Sequence, residues 1–515
     1  MDRVSNELRK IVEAILSGQI RDEYDLESWK KLAAELLGLS SLPRNADILS
    51  YAEPKERELL RMLVRKPTRT LSGVAVIAAM TSPARCPHGI CVPCPGGICN
   101  SSPQSYTGKE PAAMRAEQYD FDPYKQVYAR LRQLEEIGHL LDKAELIIMG
   151  GTMTARPLGY RVWFVKRCLQ AMNDYPVYAP QTEKWKPFRK VAEANEMARV
   201  RNIGTTFETR PDWCKHEHIC SILEIGATKV ELGVQSLREE ILCRIKRGHT
   251  VQDTIRANTA AREAGLKVGF HMMPGLPGSS WKEDLEDFQD LFNDERFRPD
   301  YLKIYPTLVV EGTDLHELYL KGEYRPLGDD EAAELVSSVK ALLPRYVRLQ
   351  RVQRDIPSNL IEAGVKKSNL RQLACQKLRD RGLHCHCIRC REVGLRGVSQ
   401  GNFELRHVIY KACGGEEHFF SFENSEDMIV GFLRLRLGGT PRIRELHVYG
   451  PLVPLGTRRK GWQHRGFGAK LVEEAEDIAR DKGFKKIEIT SGIGARMYYR
   501  KLGYALKEPY MVKAL

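Results

Sequence analysis

Apolar positions recur at helical spacing over roughly the first 65 residues, as in LRKIVEAIL and WKKLAAELLGL, and a turn around Pro43 and Asn45 interrupts them. From Gly73 the rhythm changes. Short β-rich runs (VAVIAA, ELIIMG, IGTTFE, KVELGV, LKVGFHM, YLKIYP) alternate with amphipathic stretches such as RVWFVKRCLQAM and DTIRANTAAREAG. That alternation predicts a parallel sheet with right-handed crossovers. Six strands between about 73 and 306 make an open sheet or a partial barrel, and both place their chemistry in the loops at strand C-termini. After Gly401 come strands (LRHVIYKA, MIVGFLRLRL, RIRELHVYG), a long helix (GFGAKLVEEAEDIARDKG), the strand KIEITS, the helix ARMYYRKLG and a terminal strand. This order predicts a compact α+β domain of about 115 residues. The chain contains no internal repeat and no low-complexity segment.

A chain of 515 residues exceeds one core and predicts about three domains. Its formal net charge of +13 argues for a polyanionic partner, with nucleic acid first. The excess is concentrated: residues 345 to 391 hold 12 Lys and Arg against Asp355, Glu362 and Asp380, a local net charge of +9. Arg61, Arg65, Lys66, Arg69 and Arg85 fall in a second stretch without an acidic residue. No apolar run approaches the roughly 20 residues that span a bilayer, and the N-terminus lacks a signal-peptide layout, so a cytoplasmic protein with no membrane contact is expected.

The 13 cysteines are unevenly spaced. In RCPHGICVPCPGG, Cys86, Cys91 and Cys94 follow a predicted strand with C-x4-C-x2-C spacing. Three thiolates suit a 4Fe-4S cluster with one iron left open, or a zinc site completed by Cys99. The next strand ends in Gly150, Gly151 and Thr152, where bare backbone lets a ligand approach. This layout resembles the radical S-adenosylmethionine superfamily, although the spacing usual there is C-x3-C-x2-C. The resemblance implies S-adenosylmethionine on the open iron and a 5′-deoxyadenosyl radical inside a partial TIM-like (βα)6 barrel. In HCHCIRC, Cys385, Cys387 and Cys390 alternate with His384 and His386, a tetrahedral zinc pattern that would order a basic linker lacking its own core; the fourth ligand is not readable.

Near the C-terminus, Gln463-x-x-Gly466-x-Gly468 runs into an amphipathic helix, and amides at such a helix start bind pyrophosphate. A strand with His447 and Val448 precedes it and a helix with Tyr498 and Tyr499 follows, which together resemble the GNAT acetyltransferase fold. A phenol there can donate to a leaving thiolate.

The stretches PTRTLSGVAVIAAMTSPARCPHG, QSYTGKEPAAMRA, HMMPGLPGS, RDIPSNLIEAGVKKSNLRQ, RELHVYG and GYALKEPYMVKAL make nearly the whole chain similar to the catalytic subunit of Elongator, a tRNA uridine-modifying family. The x4 cysteine loop, against x9 in eukaryotic members, resembles an archaeal or bacterial stand-alone form, without accessory subunits and with room for a homodimer. The resemblance implies a 5-carboxymethyl group installed on the wobble uridine in the tRNA anticodon loop from acetyl-CoA, with an external electron donor. Carried over by position, Cys86, Cys91 and Cys94 are cluster ligands. Lys143 contacts acetyl-CoA from the radical domain. Glu445, Leu446, His447 and Val448, with Phe467, Gly468 and Ala469, form the acetyl-CoA strand and loop, and Tyr498 lies by the thioester. The expected parts are a helical, basic, tRNA-binding arm (1–70), a radical core (71–344), a zinc-binding linker (345–400) and a GNAT domain (401–515). A protein lysine acetyltransferase with a structural iron–sulfur domain is the rival reading.

Overall fold

The computed structural model describes residues 3–53, 55–57, 59–181, 186–396, 401–449 and 466–515, apart from the side chains of Thr68 and Cys99. The six strands read from the sequence form β1 (Ala75–Met80), β2 (Lys143–Met149), β3 (Arg201–Thr209), β4 (Lys229–Gln235), β5 (Lys267–Met272) and β6 (Tyr301–Ile304). All neighbours pair in parallel in chain order, and helices such as Val251–Glu263 and Trp281–Asn293 cover the outer face. Local sequence starts these helices. Thr250 with Asp253, and Ser280 with Glu283, exchange reciprocal side-chain to backbone hydrogen bonds at the first turn.

Beyond β6 the chain makes β7 (Val309–Val310), β8 (Arg348–Arg351) and β9 (Ile361–Ala363). β7 and β9 form a small antiparallel pair, whereas β8 pairs in parallel with β6 as a seventh strand of the curled half-barrel. The segment expected to be a coreless linker therefore continues the barrel. Helix Leu370–Asp380 buries Leu370, Ala374 and Leu378, and packs on helix Asp329–Leu342. Half of the 12 cations of residues 345–391 are in ion pairs: Arg345 pairs with Glu423 and Asp427, Arg348 with Glu392, Arg351 with Asp355, Lys377 with Asp330, Arg381 with Glu334 and Arg391 with Glu423. The acids that answer it come mainly from other segments, which a local charge count does not see.

Helices Arg3–Leu16, Glu23–Leu37 and Asn45–Leu49 form a small core of their own around Leu8, Ile11, Val12, Leu26 and Ile48. Arg61, Arg65, Lys66, Arg69 and Arg85 follow it and are all exposed.

The C-terminal sheet comprises β10 (Glu404–Ala412), β11 (Gly415–Glu423), β12 (Ile429–Leu437), β13 (Arg442–Val448), β14 (Lys486–Ile489), β15 (Ala505–Lys507) and β16 (Tyr510–Ala514), in the order β10-β11-β12-β13-β14-β16-β15. β13 and β14 run parallel but pair only at Arg442/Glu488 and Ile443/Ile489, so the rest of β13 splays away and opens a wedge. One continuous hydrophobic core runs through both sheets. Across the junction Asp300 accepts from Arg444 at 2.6 and 2.9 Å and pairs with Arg434 at 3.6 Å, and Arg262 pairs with Glu417 at 3.0 Å. Among the described residues no helix is long and apolar enough to cross a membrane.

Candidate active site at the two ends of the barrel

A cavity of about 240 Å³ opens at the C-terminal ends of the barrel strands, and Cys86, Cys91 and Cys94 all line it. Donors converge on the sulfurs. Gln104 Nε2 donates to Cys94 Sγ at 3.2 Å and Arg247 Nη1 to Cys91 Sγ at 3.5 Å; His88 Nε2 lies 2.9 Å from Cys91 Sγ and Thr152 Oγ1 3.4 Å from Cys86 Sγ. Burial pushes the Cys91 thiol up, and Arg247 opposes that shift. Three soft ligands on one concave wall, with polar hydrogens aimed at them, fit an iron–sulfur cluster with one unliganded iron. The Cys99 side chain lies outside the described residues. Gly151 and Thr152 line the same cavity, and Gly150 turns the backbone at φ +122°, where a Cβ would meet Thr81 Oγ1 at 2.2 Å.

A larger cavity, about 780 Å³, lies at the other end of the barrel, in the wedge beside β13. The barrel supplies Lys143, Arg201 and Lys267 from the starts of β2, β3 and β5, and the C-terminal domain supplies Glu445 to Val448, Gly466 to Ala469, Tyr498 and Tyr499. Lys143, the two C-terminal-domain stretches and the tyrosine pair, all expected from the sequence, are thus brought together, with Arg201 and Lys267 as additions that the sequence did not single out. Gln463 lies outside the described residues. Gly468 opens helix Phe467–Asp481 at a point where a Cβ would come within 2.7 Å of Tyr498 Oη, so only a bare backbone lets the phenol sit over the helix start. Tyr498 is 40% exposed into the cavity and Tyr499 only 7%. Burial pushes the Tyr498 phenol up to about 12 and pushes the Lys143 ammonium down. The Glu445 carboxylate turns away into the domain junction, where Arg434 and Tyr301 hold it.

Cys385, Cys387 and Cys390 place their sulfurs within 4.8 Å of one another, with Lys340 Nζ 3.3 Å from Cys390. Thiolates around a single zinc ion lie about 3.8 Å apart for Zn–S bonds near 2.3 Å, so this donor set fits a mononuclear ion.

Sequence reasoning missed the charged interior of the barrel. Glu208, Glu231 and His271 converge within 4.8 Å in the lining of the thiol cavity, joined by Lys303, whose ammonium reaches both carboxylates. With Lys229 also 3.3 Å from Glu231, the group is internally neutralised and is not a cation site. The signal was present: Glu145, Lys229, Glu231, Lys267 and Lys303 all interrupt otherwise apolar strands.

Comparison with known proteins agrees with this geometry. The ELP3 N-terminal domain family matches residues 5–71, the radical SAM superfamily 83–292, the radical SAM C-terminal domain 299–380 and the GNAT acetyltransferase family 396–504. A curled parallel half-barrel with a three-thiol mouth, joined to a GNAT sheet, defines a radical S-adenosylmethionine enzyme with an acetyltransferase domain. Over 538 residues the chain is 45% identical to the tRNA uridine(34) acetyltransferase of Methanocaldococcus infernus, with 99% of each chain covered. It is 41% identical over 542 residues to Elongator complex protein 3 of Homo sapiens, covering 99% of this chain and 96% of that one. The solved structure of the archaeal Methanocaldococcus infernus Elp3 with an N-terminal deletion superimposes with a TM-score of 0.74 at 43% identity, covering 87% of this chain and 100% of that one. The chain belongs to the Elongator complex protein 3 family.

Proposed function

We propose that this protein installs a 5-carboxymethyl group on the wobble uridine of tRNA, taking the carbon unit from acetyl-CoA. The observation that carries this reading is the joint cavity: the barrel and the GNAT wedge build one acyl-CoA pocket at the base of the barrel whose opposite end holds the three thiols. A 4Fe-4S cluster on Cys86, Cys91 and Cys94 would supply one-electron cleavage of S-adenosylmethionine and hence a carbon-centred radical. Gly150, Gly151 and Thr152 let the ligand's polar end lie close to the backbone. In the lower cavity, amides at Gly466, Phe467, Gly468 and Ala469 bind the CoA pyrophosphate. Leu446, His447 and Val448 flank the pantetheine arm. Lys143 orients the thioester from the barrel side, and Tyr498, protonated at neutral pH, donates to the departing thiolate, with Tyr499 packed behind it.

The exposed Arg61, Arg65, Lys66, Arg69 and Arg85 contact tRNA phosphates, so affinity falls steeply with salt. The target base must be extruded to reach the barrel mouth. Cys385, Cys387 and Cys390 hold a structural zinc ion that clamps the segment after β8. Homologues of the stand-alone archaeal type support an enzyme working without accessory subunits but with an external electron donor, as a monomer or a homodimer.

The test is anaerobic incubation of the iron-reconstituted chain with S-adenosylmethionine, reductant, acetyl-CoA and tRNA, followed by nucleoside mass spectrometry. Carboxymethyluridine at position 34 is the expected product, and Cys91→Ser should abolish it while tRNA still binds. An acetylated lysine peptide with unmodified uridine would overturn the reading.

A further inference from the structure

Tyr498 belongs to the C-terminal domain, but its place at the lower cavity is fixed from the barrel. The turn ahead of its helix, Ile493–Ala495, lies against β3. Gly492 and Gly494 make this approach possible: a Cβ on the first would run into the Ile203 carbonyl, and one on the second would come within 2.9 Å of the Asn202 amide nitrogen. Between them the buried Ile493 packs beside Gly226, where a Cβ would meet its Cδ1 at 2.9 Å. The helix itself, Arg496–Lys501, is gripped by one barrel side chain. Glu196 Oε1 accepts from Arg496 Nη1 at 3.4 Å and from Arg500 Nη2 at 3.3 Å, and Glu196 Oε2 pairs with Arg500 Nη1. Arg496 and Arg500 stand one turn apart on one face of the helix. Tyr498, two residues from each, projects from the opposite face, so a grip on the arginines sets the rotation that aims the phenol.

Nothing local favours an acid at position 196. Glu196 caps the C-terminal end of helix Phe188–Asn195, where the helix dipole disfavours a carboxylate. It is also buried, and a buried charge needs partners. Its backbone is nonetheless tied firmly to the barrel. The preceding residue, Asn195, is fully buried, accepts from the Asn202 amide at 2.7 Å and donates to the Val200 carbonyl at 3.2 Å. The following residue, Met197, lines the lower cavity together with Arg201. A carboxylate that breaks a local preference and turns both oxygens to the tyrosine helix is placed for what it holds.

We infer that Glu196 is a positioning residue for Tyr498: by holding Arg496 and Arg500 together it fixes the rotation of the tyrosine helix and keeps the phenol over the start of helix Phe467–Asp481, where Gly468 leaves room for it. The barrel thereby aims the proton donor of the acetyltransferase half. This inference rests on the functional reading above and adds to it the group that positions its donor.

The test is a double-substitution cycle read as CoA release by the full iron-reconstituted chain given acetyl-CoA, S-adenosylmethionine, reductant and tRNA. Glu196→Gln should slow release about tenfold, while acetyl-CoA affinity, read by calorimetric titration, stays within about threefold. In the Tyr498→Phe background the same substitution should change release by less than about twofold, because the group it positions is gone. A brace that only stabilised the domain junction would cost the same in both backgrounds. Equal losses, a loss carried by acetyl-CoA affinity, or release at the original rate after Glu196→Gln would each overturn the inference. Arg500→Gln removes the more exposed arm of the clamp and gives the same comparison should Glu196→Gln not fold. If Tyr498→Phe alone leaves release unchanged, the donor in the functional reading has failed and the clamp with it; if it slows release and neither clamp variant does, only the role of Glu196 has failed.

Discussion

Tyr498 and Tyr499 are adjacent in the chain but differ in chemistry. One stands 40% open to the lower cavity and the other is 7% exposed, packed edge-on against its neighbour. A phenol pushed up to about 12 by burial carries its proton throughout the neutral range, as a donor to a leaving thiolate requires. Tyr498→Phe should therefore slow CoA release from acetyl-CoA about 10- to 100-fold, while Tyr499→Phe stays within about threefold; a thiol-trapping assay separates them. The sequence points to the pair because a tyrosine-bearing helix after a glycine loop is a recognisable combination. It does not reveal Glu231 or Lys303, since in a strand buried on both faces alternation no longer tells lumen from outer layer. Only closing the barrel shows that their charges meet.

At the scale of elements, the six early strands were legible because their apolar runs are bounded by turns. β8 was not. RLQR carries two arginines in four residues, and its partners Glu392 and Asp355 lie outside the strand itself. A strand whose charges are met beyond its own ends reads, in isolation, as a cationic linker. Helix Phe467–Asp481 yields a sharper expectation. Gly468→Val puts branched carbon where Tyr498 Oη now lies 2.7 Å from an ideal Cβ. The phenol must move off the helix start, so acetyl-CoA affinity should fall about tenfold or more while the melting temperature changes little, because the position borders an open cavity. Calorimetric titration of acetyl-CoA checks the first outcome and thermal denaturation the second.

For the whole molecule, the junction decides how the two sheets stand to one another. Burial alone would raise the Asp300 carboxyl, but Arg262, Arg444 and Arg434 outweigh it and hold it far below the ordinary range. Glu417 and Glu445 are lowered in the same way by neighbouring cations. Carboxyls with depressed folded pKa values contribute stability that is complete above their unfolded pKa near 4 and is lost as the pH falls through the folded values. The melting temperature should thus be flat from neutrality to about pH 5 and fall below it. Asp300→Ala leaves the three buried guanidiniums of Arg262, Arg434 and Arg444 with only Glu417 and Glu445 to neutralise them and should cost about 3–5 kcal/mol, with the barrel and the GNAT sheet unfolding in one transition at lower temperature and with a shallower acid limb. Differential scanning calorimetry reads both. The placement of the two cavities has a kinetic consequence. A polynucleotide arriving at the thiol-lined mouth and a nucleotide thioester arriving at the base use separate doors. On the proposed assignment of the two cavities neither has to wait for the other, and initial-rate kinetics with both substrates varied should show no compulsory order of addition. The same assignment lets spent CoA be exchanged for a fresh molecule while the tRNA stays docked, so that a single encounter with the tRNA would outlast several failed attempts at the chemistry.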